Sequence, residues 1–418
     1  MSATAPAPVE GGPGAPAVAT AGGETWQAYA SRWWAGVKAG DLGSLPIVVG
    51  LIIIAIVFQS QNSNFLTAGN FVNLIVQAAA ITTIGMGIVF VLLLGEIDLS
   101  VGFVSAVAGV TMALLTLPDN SHVFAAAPTM VIVLMVGVSI GILHGLLITK
   151  VGIPSFVVTL AGLLGWNGVV LLLIGDRGTG IIQNSFFVGF ANDFLPSSTA
   201  WILAIVAIGL YAAMLFWQRI QRRRHGLATA PDSILVIRVA LLAVAVLAVV
   251  YVCDQDRGIP YVLLMLAGVY ILWTYVLNRT RFGRHVYAVS GNAEAARRAG
   301  INVDNIRIAC FAICSMMAAL GGIVLASRLR SVDTGAGGGS ILLYAIAAPV
   351  IGGTSLFGGR GNIKSAVLGA LVIASIDNGL GLLGLSSGTK FVITAGVLLL
   401  AVTVDSIARK GRASAGRA

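Results

Sequence analysis

Between Phe71 and Leu117 the only charged residues are Glu96 and Asp98. No water-soluble domain tolerates so long an apolar run, and one membrane span needs only about 20 apolar residues. The stretch therefore holds two spans, with the break at Gly95-Glu96-Ile97-Asp98-Leu99-Ser100-Val101-Gly102. Charge at membrane depth is expensive and usually lines a cavity or a path, so the break points to a transporter. The rest of the chain agrees. Only 10% of its 418 residues are charged, against about 25% in soluble domains, and the mean hydropathy is +0.95.

Apolar runs fall at 44–59, 71–94, 101–117, 128–149, 153–175, 201–217, 234–252, 259–277, 306–327, 340–356, 363–385 and 391–407. They predict an all-α polytopic integral membrane protein with about 10–12 transmembrane helices, some broken or re-entrant. The run at 340–356 contains Pro349, Gly352 and Gly353 and reads as a half-span. Lys and Arg accumulate on the cytoplasmic side of membrane proteins. With an inside N-terminus and one crossing per run, only Arg177, Arg257, Arg328, Arg330 and Lys390 of the 25 Lys and Arg fall outside. Both termini are then cytoplasmic, and the net charge of +9 reflects topology rather than nucleic-acid binding.

The expected organisation is a disordered Ala/Pro/Gly-rich tail over 1–43, a transmembrane domain over 44–408 and a basic tail over 409–418. The tail has no apolar core of a cleaved signal peptide, so the first span acts as the anchor. Within the domain, 201–252 form a pair of spans around a basic loop, and 278–305 form the longest cytoplasmic loop. Cys253, Cys310 and Cys314 give no disulfide framework, and the four histidines are scattered, so no metal site is expected. None of the five lysines follows a glycine, so the chain lacks a Walker A loop. Any ATP must be handled by another subunit, and the chain is not expected to be an enzyme.

Three segments carry function. In the loop, Asn292 can cap a short helix with Glu294 in its first turn. Glu294 and Arg298 are a favourable pair four apart, and Gly300 can end the helix. Such a helix is either an ordinary solvated connector or a docking element. Gly352 to Asn362, GGTSLFGGRGN, reads as a broken helix or re-entrant turn. Glu96 and Asp98 would line the solute path, bind protons or ions, or satisfy backbone at the break. The same choice holds for Asp377 and Asn378, a second polar pair inside an apolar run.

GEIDLSVG, KVGIPSFVVTLAGLL (150–164), FGRHVYAVSGNAEAARRAGINV (282–303), IAAPVIGGTSLFGGRG (346–361) and LLLAVTVDS (398–406) together resemble the permease subunits of ribose/xylose-type ABC sugar importers. The resemblance covers roughly residues 45–408 in the family's order. It is greatest to the D-xylose branch, because Glu96 stands where ribose permeases usually have glycine. The span pair at 201–252 and DQDRGIP (254–260) also fit that branch. One departure is SILLYAIAA (340–348), which lacks the acid that family members commonly carry there.

The resemblance implies a homodimer in the bacterial inner membrane, in contact with lipid and driven by two cytoplasmic ABC ATPase subunits. ATP would be bound by those partners, and no cofactor by this chain. An extracytoplasmic binding protein would deliver a monosaccharide. Asn292, Ala293, Glu294, Ala295, Arg297 and Gly300 would form the coupling helix. Gly95, Glu96, Asp98, Ser100, Gly102, Asp377 and Asn378 would shape the translocation path. Gly352, Gly353, Thr354, Ser355, Gly358 and Gly359 would form a gate or re-entrant segment. The competing expectations are a proton-coupled secondary sugar transporter using Glu96 or Asp98, the same importer class with another sugar (ribose, galactose or several), and a non-transporting membrane scaffold.

Overall fold

A computed structural model describes Ser31, Trp34 and residues 44–118, 123–227, 229, 231–397, 399 and 403. Apart from Ser31 and Trp34, the expected tails lie outside the described residues. The helices in chain order are α1 (Leu45–Gln61), α2 (Ala68–Leu93), α3 (Val101–Leu115), α4 (Ala126–Leu146), α5 (Ser155–Ile174), α6 (Ser185–Asn192), α7 (Ser197–Arg224) and α8 (Asp232–Asp254). They continue with α9 (Tyr261–Arg279), α10 (Arg281–Gly291), α11 (Ala293–Arg298), α12 (Val303–Leu329), α13 (Ser340–Ile351) and α14 (Ile363–Leu382). A further helix occupies 387–397. Two short antiparallel strands, β1 (Thr179–Ile181) and β2 (Ser331–Asp333), pair Gly180 with Val332.

Eight of these helices are long and apolar enough to cross a membrane, and α1, α3 and α13 are shorter apolar helices. Local chemistry explains the boundaries. Pro154 and Pro260 precede α5 and α9, where a missing N–H costs nothing. Asn302 and Asn362 cap α12 and α14 by accepting from Asn305 N and Ser365 N, both at 3.0 Å.

The chain divides into two compact units. Residues 201–249 belong to the smaller one, essentially the α7–α8 hairpin, in which Arg219 and Arg223 both pair with Asp232. Its apolar side chains, among them Ile205, Leu210, Leu241 and Val244, are exposed, as expected for helices surrounded by lipid.

The larger unit, residues 42–200 and 250–418, is organised around α12. Lipid tails are as apolar as leucine, so membrane helices associate through close contact of small residues. Gly137, Gly141 and Gly145 make one stripe on α4. A Cβ at Gly137 would sit 2.7 Å from Ser315 O, one at Gly141 would strike the Phe311 carbonyl, and one at Gly145 would lie 2.7 Å from Ile308 Cα. Gly322 of α12 meets Ser105 of α3 in the same way, and Gly87 of α2 meets Cys314 and Met317. Cys310 and Cys314 are buried packing residues.

The run at 101–117 is not a full span. Helix α3 has 15 residues and α13 has 12, so they rise about 22 and 18 Å, short of the roughly 30 Å hydrocarbon core. They start beside one another, where Gly102 lies against Gly337 and Leu342. From there α3 runs toward the end of α12 that carries Arg328, and α13 toward the end that carries Arg307. Two half-helices thus share one crossing, beginning near the middle of α2, where Gly85 faces Ala345 and Pro349.

Replacing Gly141 with Leu should push α4 off α12. The expected result is a loss of about 1–3 kcal/mol or more in stability, as for overpacked cores, read by thermal unfolding in detergent, while Gly165→Leu, at a glycine with open space around it, should leave the transition in place.

Candidate functional site

The break after α2 is built by one glycine and one aspartate. Gly95 takes φ +72°, and a Cβ there would lie 3.3 Å from Phe357 O, so the reversal needs a residue free to adopt a positive φ beside another backbone. Six residues later α3 begins. Asp98 accepts from Ser100 N at 2.9 Å and from Ser100 Oγ at 2.6 Å. It is 1% exposed, and its charge sits at the N-terminus of α3, where the helix dipole favours an anion. The contacts extend outward from Ser100. Its Oγ lies 3.5 Å from His144 Nδ1, and Trp166 Nε1 donates to His144 Nε2 at 3.1 Å. With Nε2 accepting, a neutral ring carries its proton on Nδ1, facing Ser100. Thr159 Oγ1 donates to Ile97 O at 3.2 Å, tying the break to α5.

Glu96 takes a different direction. It pairs with Arg307 in the first turns of α12 at 3.2 Å, with side chains 14% and 32% exposed. The two carboxylates of the motif therefore diverge, one binding α12 and the other capping α3. They do not form a joint acidic site, and among the described residues no group of three or more His, Cys, Asp or Glu could hold a metal.

The Gly-rich turn between α13 and α14 packs directly on this break. Gly359 N donates to Leu93 O at 3.3 Å and to Ser290 Oγ at 3.0 Å. A Cβ at Gly358 would lie 2.9 Å from Gly95 N. Tyr287 of α10 donates to Gly361 O at 3.0 Å, and burial raises its phenol above the ordinary value, so it remains a donor. Gly352 closes α13 against Ser365, and Thr354 Oγ1 bonds to Ser365 Oγ. Gly353 turns with φ +100°, and Ser355 N donates to Arg360 O at 2.9 Å.

Helix α11 follows α10 after the single extended residue Asn292. Asn292 accepts from Ala295 N at 2.9 Å, Glu294 pairs with Arg298 at 3.2 Å, and Gly300 ends the segment at φ +85°. Ala296 is buried and holds the helix down, while Asn292, Glu294, Ala295 and Arg297 are exposed and Ala293 is half-buried. Asp304 at the start of α12 joins Arg297 at 3.8 Å and Lys150 at 3.0 Å. Exposed pairs of this kind add about 0.2–1 kcal/mol each, enough to orient α11 and too little to hold it alone.

Asp377 and Asn378 are not part of this cluster. Asn378 exchanges hydrogen bonds with Asn70 at 2.9 and 3.0 Å, in the first turn of α2, whereas the break follows its last. The intervening helix is about 35 Å long. The two polar pairs found in the sequence therefore occupy opposite ends of the bundle. Arg307, His144, Trp166, Tyr287 and Ser290 were not singled out by the sequence. Arg307 offered a signal, as a charge within an apolar run, and so did His144, the sole ionisable residue of its run. The other three carried none.

Residues 70–403 match the family described as the branched-chain amino acid transport system / permease component. The chain is 35% identical over 388 residues to the xylose transport system permease protein XylH of Escherichia coli (strain K12), covering 91% of this chain and 96% of that one. It is 34% identical to XylH of Haemophilus influenzae, over 88% of this chain and 98% of that one. Identity to the ribose import permease protein RbsC of Escherichia coli (strain K12) is 30%, over 88% and 95%. No solved structure matches.

Removing one partner of the Glu96–Arg307 pair should leave the other charge poorly compensated. Glu96→Gln and Arg307→Gln are each expected to lower stability by about 1–2 kcal/mol. The exchange Glu96→Arg with Arg307→Glu should recover part of that loss in the same melting experiment, which an unrelated packing defect would not.

Proposed function

The chain belongs to the permease-component family of ABC transporters, as a ribose/xylose-type sugar permease, and we propose that it carries D-xylose into the cytoplasm. It is a multi-pass protein of the inner membrane and a permease subunit, so the energy must come from elsewhere. In this reading two copies form the pore, and a separate ATPase docks on α11 from the cytoplasm. A binding protein hands over the sugar on the other side. Both termini face the cytoplasm, a placement supported by the distribution of Lys and Arg.

The observation that carries the proposal is the continuity between α11 and the two helix breaks. An ATPase that closes on ATP would displace α11 and, through Asn292, α10. Helix α10 holds the Gly-rich turn through Ser290–Gly359 and Tyr287–Gly361. That turn holds the end of α2 through Gly359–Leu93. Movement at the docking helix is therefore delivered to the start of α3 and the end of α13 without any proton transfer. Asp98 acts as the cap that lets α3 begin within the bundle, and Glu96 as the strut to α12. D-xylose is favoured over ribose by the higher identity to the two XylH proteins.

The test is uptake by the chain assembled with its ATPase and binding protein, over a panel of D-xylose, ribose and galactose. D-xylose uptake that stops on ATP depletion with the proton gradient intact is the expected result. Uptake that follows the proton gradient without ATP would overturn the importer reading, and preference for another sugar would overturn D-xylose alone. In the same assay Glu294→Lys should abolish sugar-dependent ATP hydrolysis and uptake while membrane insertion stays normal.

A further inference from the structure

At the end of the bundle away from the two breaks, a cavity of about 290 Å³ is lined by Asn73, Gln77, Arg328, Asp377 and Lys390. Asn70 and Asn378 form its braced back wall, and Asn378 also donates to Gln77 Oε1 at 3.3 Å. This geometry points to a monosaccharide-binding vestibule: we propose that the cavity holds a neutral polyol, the transported pentose, as it passes from the binding protein into the bundle. The inference rests on the importer reading above and adds a site to it.

The chemistry of the lining selects the ligand. Gln77 Oε1 is taken by Asn378, and Asn73 Oδ1 accepts from Arg257 at 2.7 Å. Both side chains therefore keep their NH₂ groups for a ligand. Among the described residues, Arg328, Asp377 and Lys390 close no ion pair with one another, although Arg328 lies within the field of Asp377. Three charged side chains and two amide NH₂ groups thus line the cavity without closing ion pairs among themselves. A sugar hydroxyl both donates and accepts, so adjacent hydroxyls can donate to the carboxylate while accepting from guanidinium, ammonium and amide. An anionic ligand would meet the Asp377 carboxylate at close range. A planar apolar ligand would find no aromatic ring in the lining.

The size fits as well. Pockets for drug-sized ligands usually exceed about 300 Å³, so this one suits a single sugar ring. Without aromatic stacking, and with an open mouth, binding should be weak, in the millimolar range. Weak binding suits a staging point, because a tight site would compete with release toward the pore. Tyr344, in the second turn of α13, lies near Asp377, Thr394 and Ser340, and would offer the next contact for a hydroxyl moving inward.

The experiment uses the permease assembled with its ATPase in nanodiscs, without the binding protein. Saturation-transfer NMR with D-xylose should give transfer to the sugar, competed by excess unlabelled pentose and not by the sugar acid xylonate. Asn73→Leu and Asp377→Asn should each weaken the signal about fivefold, the scale of one lost hydrogen bond. In the complete importer they should lower kcat/KM for uptake to a similar extent, while stimulation of ATP hydrolysis by the sugar-loaded binding protein is retained. Retained stimulation distinguishes a lost sugar contact from a misassembled complex. Absence of saturation transfer in the wild-type complex, or unchanged signal and uptake in both variants, would overturn the vestibule while leaving the importer intact. Competition by xylonate would overturn its neutral-ligand chemistry. A wild-type complex that moves no sugar with ATP would overturn the importer reading instead. If the importer moves a different pentose, that sugar replaces D-xylose as the probe, with the same two variants and the same criteria.

Discussion

Backbone polar groups cannot be left facing hydrocarbon, and this chain interrupts its helices where it is most apolar. The two interruptions, at Gly95–Ser100 and Gly352–Asn362, are possible because each supplies what the other lacks. Gly359 donates to the Leu93 carbonyl at the end of α2, and Gly358 approaches the Gly95 amide with only hydrogens between them. Asp98 and Ser100 satisfy the start of α3, and Tyr287 and Ser290 satisfy the Gly-rich turn from α10. Non-helical backbone at this depth survives only where protein covers it. Helices α3 and α13 start beside one another elsewhere, where Gly102 lies against Gly337 and Leu342, and α13 ends at the Gly-rich turn.

The rest of the larger unit is arranged around that requirement. Helix α12 has to approach α2, α3 and α4 closely enough to enclose the breaks, and glycines at each contact allow it. Burying Asp98 costs desolvation, which the two Ser100 hydrogen bonds to Oδ1 and the amide end of α3 offset in part, while Oδ2 is buried without a hydrogen-bond partner. Burying Glu96 is offset by Arg307. These groups support the architecture of the break. The polar cavity lined by Asn73, Gln77, Arg328, Asp377 and Lys390 lies instead at the far end of α2.

Much of this was legible in the sequence because the signals are local. Long apolar runs identify spans, Asn292 with Glu294 and Gly300 identifies a capped short helix, and consecutive glycines identify a turn. What misled was also local. The apolar run at 101–117 looks like a full span because hydropathy counts residues and not the level at which a helix starts. Asp98 shortens α3 by capping it at Ser100, and nothing in the run itself announces that. Glu96 and Asp98 share one short motif, yet the turn at Gly95 sends them to different helices.

The sequence by itself determined that this chain lives in a membrane, where its helices lie and which residues end them, because burial in lipid and capping depend on neighbours within a few positions. It also carried the family motifs that make it a sugar permease. Only the tertiary structure decided that the Gly-rich turn, the GEIDLSVG break and α11 form one connected cluster, and that Asp377 and Asn378 face a separate cavity with Asn73, Gln77, Arg328 and Lys390. Those relations join residues up to about three hundred positions apart. They depend on how closely α2, α12 and α14 pack, a property of side-chain shape in three dimensions that no local pattern encodes.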